Sequence, residues 1–283
     1  AIADNNPLIV VGAVNAYCAK MAEKAGHKSL YLSGSGVATA SFGLPDLAIT
    51  TSHDVAEDSR RITQATSLPL LVDIDTGFGG AFSISRTIKE MIAADVAAVH
   101  IEDQVTQKRC GHRPNKSLVD TIEMSDRIKA AVDGRTDDSF FIMARTDSYA
   151  TEGMNGAIER CKEYISAGAD GLFLEAVSNL EDYKQLKDVL QVPVLANITE
   201  FGKTPLFTAE ELASVGVDIM LFPLSAFRAM NKAAESVYQD IAANGSQINS
   251  VKKMQTRDEL YEYLNYHSFE QKLDELFIRK ENK

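Results

Sequence analysis

Residues 108–116 read Lys-Arg-Cys-Gly-His-Arg-Pro-Asn-Lys, one thiol set among cationic side chains and a histidine. A free thiol titrates near about 8.5, and neighbouring Lys, Arg or His⁺ push it toward thiolate. The stretch therefore predicts a reactive Cys110, with His112 beside it, held near an anionic substrate. Gly111 and Pro114 mark a loop, where catalytic groups concentrate. The plain alternative is a solvated basic loop with an incidental cysteine. A second constellation is Asp73-x-Asp75. Two residues apart on a strand, both carboxylates point to one face. Like charges so placed repel unless a cation lies between them or one is protonated. Two hard oxygen ligands are too few for a closed cage, which suits Mg²⁺, an ion that keeps waters and lets a substrate complete its shell. Glu102, at the next strand end, is placed to hold a metal-bound water. A carboxyl pair sharing one proton is the structural alternative.

Arg145 ends an otherwise apolar strand, and Arg228 follows the last one. A guanidinium grips carboxylate with two parallel hydrogen bonds, so these arginines suit a ligand with several carboxylates. Pairing of Arg145 and Arg228 with Glu175 and Asp147 inside the fold is the competing reading. Ser33-Gly34-Ser35-Gly36 could offer backbone N–H groups to an anion. It lacks the Lys-Ser/Thr of a P-loop and the third glycine of a dinucleotide fingerprint. Cys18 and Cys161 sit in helical patterns and read as small buried apolar groups.

These groups need a scaffold, and the chain repeats short apolar strand, loop, amphipathic helix. Strand candidates are Leu8–Val14, Ser29–Leu32, Leu70–Ile74, Ala97–Ile101, Phe140–Ala144, Gly171–Leu174, Val192–Ala196 and Asp218–Phe222. Near-continuous apolar runs of this kind suit parallel strands covered on both faces. Helical periodicity predicts Ala16–Ala25, Asp54–Thr66, Ile84–Ala93, Glu123–Val132, Ala157–Ala167 and Ala209–Val215 between them, with Arg228–Asn244 last. Eight strand–helix units predict an α/β protein, a (β/α)8 TIM-type barrel over residues 1–245, with a doubly wound open sheet as competitor. The strands turn polar at their carboxyl ends: Ser33, Asp73 and Asp75, Glu102, Arg145, Glu175, Asn197 and Thr199. In a barrel these ends converge on one mouth. Residues 246–283 read as a helical tail, amphipathic from Thr256 to Arg279, packing on the barrel or on a neighbouring subunit.

Composition limits the function classes. With 45% hydrophobic and 24% charged residues the chain has ample core material. A formal charge of −11 disfavours nucleic acid, which needs a basic face. No apolar run reaches the roughly 18 residues that span a membrane. No signal-peptide pattern opens the sequence. Three cysteines, odd in number and without metal-ligand spacing, suit a reducing cytoplasm.

Taken together, the 108–116 run, Asp73-x-Asp75, Tyr31-Leu32-Ser33-Gly34 and Leu195-Ala196-Asn197-Ile198-Thr199-Glu200-Phe201-Gly202 resemble the 2-methylisocitrate lyases, a family of the isocitrate lyase and phosphoenolpyruvate mutase superfamily. The likeness runs from about Leu8 to Phe277. It implies a Mg²⁺-dependent barrel enzyme (Mn²⁺ being the alternative ion) that splits (2R,3S)-2-methylisocitrate into pyruvate and succinate. By resemblance, Asp73 and Asp75 hold the metal, with Asp46 and Glu102 as outer-shell candidates. Ser33, Gly34, Ser35, Cys110, Gly111, Arg145, Glu175, Asn197, Thr199, Arg228 and Arg257 contact substrate. Cys110 is the general acid and Tyr31 the favoured base, with His112 and Arg145 also in the catalytic set. Ser35 departs from the family, which usually has glycine there. The family further implies an eighth helix exchanged between subunits of a homotetramer. The remaining alternatives are isocitrate lyase, oxaloacetate decarboxylase or phosphonate mutase activity, and a non-catalytic barrel that binds tricarboxylates.

Overall fold

The computed structural model describes residues 1–277. Eight parallel strands close a barrel in sequence order: β1 (Leu8–Gly12), β2 (Leu30–Leu32), β3 (Leu70–Asp73), β4 (Ala98–Glu102), β5 (Phe141–Thr146), β6 (Gly171–Leu174), β7 (Val194–Asn197) and β8 (Ile219–Phe222). β8 pairs back onto β1, with Leu8 opposite Ile219, so no sheet edge remains. Each predicted strand lies within two or three residues of an observed one. The open-sheet alternative is excluded by this closure.

Helices alternate with the strands: α1 (Ala16–Lys24), α2 (Ser52–Thr63), α3 (Ala81–Ala93), α4 (Thr121–Gly134), α5 (Tyr149–Ser166), α6 (Leu180–Val189), α7 (Ala209–Ser214) and α8 (Ser225–Asn244). Their starts follow capping chemistry. Asn15 accepts from the Cys18 N–H, Asp120 from that of Glu123, and Thr51 forms a reciprocal box with Asp54. α6 was not anticipated. Its apolar positions Leu180, Tyr183 and Leu186 are diluted by charge, yet Asn179 caps it on the Asp182 N–H. After β2 the chain makes a short helical segment, Gly34–Gly36, then a wider turn, Val37–Ser41. Gly12 is the close approach at the β1–β8 seam: a Cβ there would lie 1.8 Å from the Pro223 carbonyl oxygen.

Two apolar layers result. The larger fills the space between strands and helices, with Leu30, Ile62, Val72, Ile88, Ile101, Tyr164 and Tyr183 fully buried. The smaller fills the barrel itself: Leu8, Val10, Tyr31, Leu71, Met143, Phe173, Leu195, Ile219 and Leu221. Side chains alternate along a strand, so the residue two places after an inward one also points inward. Leu71 is thus followed by Asp73, Met143 by Arg145, Phe173 by Glu175 and Leu195 by Asn197. The polar mouth is the top layer of the same inward rows.

By contacts the chain divides into two compact units, Ala1–Arg228 and a second starting at Ala229. The second contains most of α8, then α9 (Arg257–Leu264) and α10 (Tyr266–Phe277). The expected single amphipathic run from Thr256 is two helices, because Asn265 adopts a left-handed conformation (φ 52°) between them. The predicted end at Arg279 lies outside the described residues. Among those described, no helix is long and apolar enough to cross a membrane.

Candidate active site

At the carboxyl ends of the strands lies a cavity of about 310 Å³, lined by residues from Tyr31 to Arg228. Cys110, Gly111 and His112 line it together with Ser33, Asp73, Arg145, Glu175, Asn197 and Thr199. Tyr31, Ser35, Asp46 and Arg228 complete the set from the predicted residues, and Phe173, Pro223 and Leu224 add apolar surface. Gly34, Asp75 and Glu102 stand behind this lining. Arg257 belongs to the second unit, in the first turn of α9.

The aspartates meet by a different route from the one anticipated. β3 ends at Asp73, and Asp75 takes a left-handed conformation (φ 48°), so strand periodicity does not align them. They converge nonetheless. A Cβ on Gly34 would lie 3.1 Å from Asp75 Oδ1 and 3.2 Å from Asp73 Oδ2, which is why glycine fits there. The Gly34 N–H, expected to be free for a ligand anion, donates to Asp73 Oδ2 at 3.1 Å. The Asp75 N–H donates to Asp73 Oδ1 at 3.0 Å. Burial raises Asp73, but His100, Lys108 and Arg145 outweigh it and bring its carboxyl below the usual range. For Asp75 burial wins, and its carboxyl is pushed up.

Lys108 explains the local balance. Its ammonium, 3% exposed, sits 2.5 Å from Asp75 Oδ1 and 2.8 Å from Asp46 Oδ1. Burial works against its charge, yet Asp75, Glu102, Asp73 and Asp46 keep it protonated. Among the described residues, Asp46, Asp73, Asp75, Glu102, Asp147 and Glu175 around the cavity share only Lys108, Lys116 and Arg145 as permanently charged partners. That excess of buried carboxylate, with hard oxygens on Asp73 and Asp75, fits a divalent cation. Among the described residues no three His, Cys, Asp or Glu side chains are arranged to hold a metal alone. The fit is therefore to an ion such as Mg²⁺, which takes much of its shell from water and substrate.

Arg145 is a hub rather than an idle clamp. Its Nε lies 2.9 Å from Asp147 Oδ2 and 3.2 Å from Glu102 Oε2, and its Nη2 3.2 Å from Glu175 Oε2. The guanidinium packs over the Phe173 ring at 5.0 Å. Internal pairing, the competing reading of this residue, is thus present while the side chain still lines the cavity. Glu175 would be raised by burial, but Arg145 and His112 hold it well below the carboxylate range. His112 Nδ1 accepts from the Lys203 N–H at 3.1 Å, which leaves Nε2 to carry the hydrogen facing Glu175 Oε1 at 3.1 Å. Gly111 must be glycine, since a Cβ would stand 2.5 Å from Arg145 Nη2.

The thiolate expectation for Cys110 is overturned. Sequence neighbours are not its spatial partners: Lys108 turns to Asp46 and Asp75, and Lys116 to Asp147 at 2.6 Å. Burial pushes the half-buried thiol above its ordinary value, with the His112 N–H and Arg145 opposing and Asp46 reinforcing. Cys110 keeps its proton at neutral pH. Cys18 and Cys161 are buried in the apolar core, as expected.

His100 belongs to the polar end of the fourth strand, where the sequence assigns it no role. It is fully buried, lies two residues before Glu102 on β4, and so points inward by the same alternation. Its Nε2 is 2.9 Å from the Tyr31 hydroxyl and its Nδ1 3.7 Å from Asp73 Oδ1. Burial lowers its pKa to about 4, so it is neutral. Burial and Asp73 push the Tyr31 phenol well up.

Comparison with known proteins agrees with this geometry. The phosphoenolpyruvate phosphomutase family profile matches residues 2–242. A 2-methylisocitrate lyase of Vibrio cholerae is 59% identical, covering 98% of this chain and 92% of its own. The crystal structure of a 2,3-dimethylmalate lyase superposes with a TM-score of 0.89 at 33% identity, over 97% and 92% of the two chains. A phosphonopyruvate hydrolase complexed with oxalate and Mg²⁺ superposes at 0.85 and 25% identity, over 98% and 97%. A barrel closed in sequence order, a carboxylate mouth and relatives at this identity lead to one assignment: the chain is a carbon–carbon lyase belonging to the phosphoenolpyruvate phosphomutase family.

Proposed function

We propose that the chain cleaves (2R,3S)-2-methylisocitrate to pyruvate and succinate. The observation that carries this reading is that the Cys110 thiol lines the same cavity as Asp73. Asp73 and Asp75 would hold Mg²⁺, with Asp46 and Glu102 outside them. When bound, that ion supplies Lewis-acid stabilisation of negative charge developing on the substrate's hydroxyl oxygen.

The residues of the chain divide the remaining work. The proton of the substrate hydroxyl leaves toward Tyr31, whose oxygen lies 2.9 Å from His100 Nε2, and passes on to solvent. As the carbonyl of pyruvate forms, the C–C bond breaks and its electron pair moves onto the succinate half. Arg145 and Arg228, both at the cavity, offset the charge of that carbanionic carboxylate. The Cys110 S–H protonates the carbon and is restored from solvent. Ser33, Gly111, Asn197 and Thr199 position the carboxylates. Phe173, Pro223 and Leu224 are the apolar surface on which a methyl group is at home.

With Mg²⁺ present, 2-methylisocitrate should yield equimolar pyruvate and succinate in a coupled assay. EDTA should stop the reaction, and excess Mg²⁺ should restore it. Full activity in metal-free enzyme would remove the aspartate pair from the mechanism.

We also propose a homotetramer that exchanges α8. The face of the first unit flanking β1 and β8 has an apolar hollow lined by Ile9, Val11, Met21 and Phe222. α8 separately exposes Met230, Tyr238 and Ile241. A sedimentation mass equal to one chain would exclude the exchange.

A further inference from the structure

All three carboxylates bound by Arg145 are tied, each through one side chain, to the Cys110 loop. Glu102 Oε1 accepts from Gln104 Nε2 at 3.0 Å. The same amide grips the backbone of Arg109 on both sides, donating to its carbonyl at 2.9 Å and accepting its N–H at 3.0 Å. Asp147 Oδ1 accepts from Lys116 Nζ at 2.6 Å, and that ammonium also donates to the Gly111 carbonyl at 2.7 Å. Glu175 faces His112. The backbones of Arg109 and Gly111, the residues on either side of Cys110, are therefore pinned, one by Gln104 and one by Lys116. Gln104 is 1% exposed and the Lys116 side chain 3%, and neither lines the cavity.

The stems reinforce the pins. Val105 donates to the Ser117 carbonyl at 2.9 Å, and Gln104 bridges Leu118 in antiparallel fashion. Asp147 is fixed in turn, its N–H donating to Asp103 Oδ1 at 3.0 Å. Asp103 also accepts from Thr146 at 2.6 Å and from Tyr164 at 2.9 Å. A buried network reaching α5 thus ends at the thiol-bearing loop.

We infer that Gln104 and Lys116 are positioning residues that set the place of the Cys110 sulfur and tie it to the carboxylates around Arg145. The inference rests on reading Cys110 as the proton donor. A substrate carboxylate that draws on Arg145 competes with Glu102, Asp147 and Glu175, and the first two hand the change to the loop through the hydrogen-bonded Gln104 and Lys116 side chains. An apolar side chain of similar length breaks a pin without touching the cavity lining.

The test is Gln104→Met and Lys116→Met, each read two ways. Iodoacetamide labelling of Cys110 in the folded, ligand-free protein, followed by mass spectrometry, should be about tenfold faster in either variant, because the loop opens more often. The kcat for 2-methylisocitrate should fall about 10–100-fold while KM changes little, since a shift of roughly 1 Å in the acid suffices. Lys116→Arg, which keeps a charged donor, should restore the wild-type labelling rate. Labelling within about twofold of wild type in both methionine variants overturns the inference, and so does a fall in kcat without faster labelling. If wild-type protein released no pyruvate, the functional reading would fail, while the labelling comparison would still decide the pins.

Discussion

Cys110→Ala should reduce steady-state pyruvate release by about 10²–10⁴-fold while leaving substrate binding nearly unchanged. The size follows from the role. A positioned general acid contributes that range, and alanine offers neither a proton nor a hydrogen bond. The structure makes the role workable, because burial keeps the thiol protonated at the pH where a donor is needed. Cys110→Ser is the sharper comparison. A hydroxyl fits the space but gives up its proton far less readily, so the serine variant should resemble alanine rather than wild type. The wild-type thiol should react slowly with iodoacetamide at neutral pH and faster as pH rises past the ordinary thiol range. An alanine variant that retains the full rate would show that another group delivers the proton.

Arg145→Met should be the most destabilising single change at the site. It leaves Glu102, Asp147 and Glu175 buried with their shared cation gone. Removing one partner of a buried ion pair typically costs about 3–5 kcal/mol. For a unit of this size that corresponds to a fall of roughly 10 °C in Tm. The pH dependence has a definite sign. Glu175 titrates below its unfolded value, so its stabilisation is complete above about pH 4.3 and is lost as pH falls through the folded value. Without Arg145 that contribution disappears, and acid unfolding should begin at higher pH. Arg145→Lys should recover part of the stability but little activity, since a point charge cannot reach three carboxylates at once. Thermal melts across pH 3–8 would check both. A melting point within about 2 °C of wild type for the methionine variant would mean that the carboxylates take up protons instead.

Much of this was readable from residue order, for identifiable reasons. The eight strands announced themselves as apolar runs ending in polar residues, because a barrel puts its inward rows and its mouth on the same alternation. Asp73, Arg145, Glu175 and Asn197 were found this way. His100 obeys the same rule, but its place on the strand does not say that it meets the Tyr31 hydroxyl. What order along the chain cannot give is the partner of a long side chain. Lys108 and Lys116 flank Cys110 in sequence, yet both ammoniums turn onto carboxylates from other segments, so the expected thiolate is a thiol. Asp75 escaped strand logic through its left-handed conformation, and its backbone N–H meets Asp73 anyway. Gln104 carried no motif at all. Its importance lies in two hydrogen bonds to the backbone of Arg109, which no spacing rule describes.

The reading depends most on which small acid fills the cavity. The decisive measurement is kcat/KM for 2-methylisocitrate and for isocitrate, side by side with saturating Mg²⁺. One methyl group against Phe173, Pro223 and Leu224 is worth about 1–3 kcal/mol, so 2-methylisocitrate should be preferred by roughly 10–200-fold. Equal turnover of the two, or binding of 2-methylisocitrate with no pyruvate released, would contradict the account.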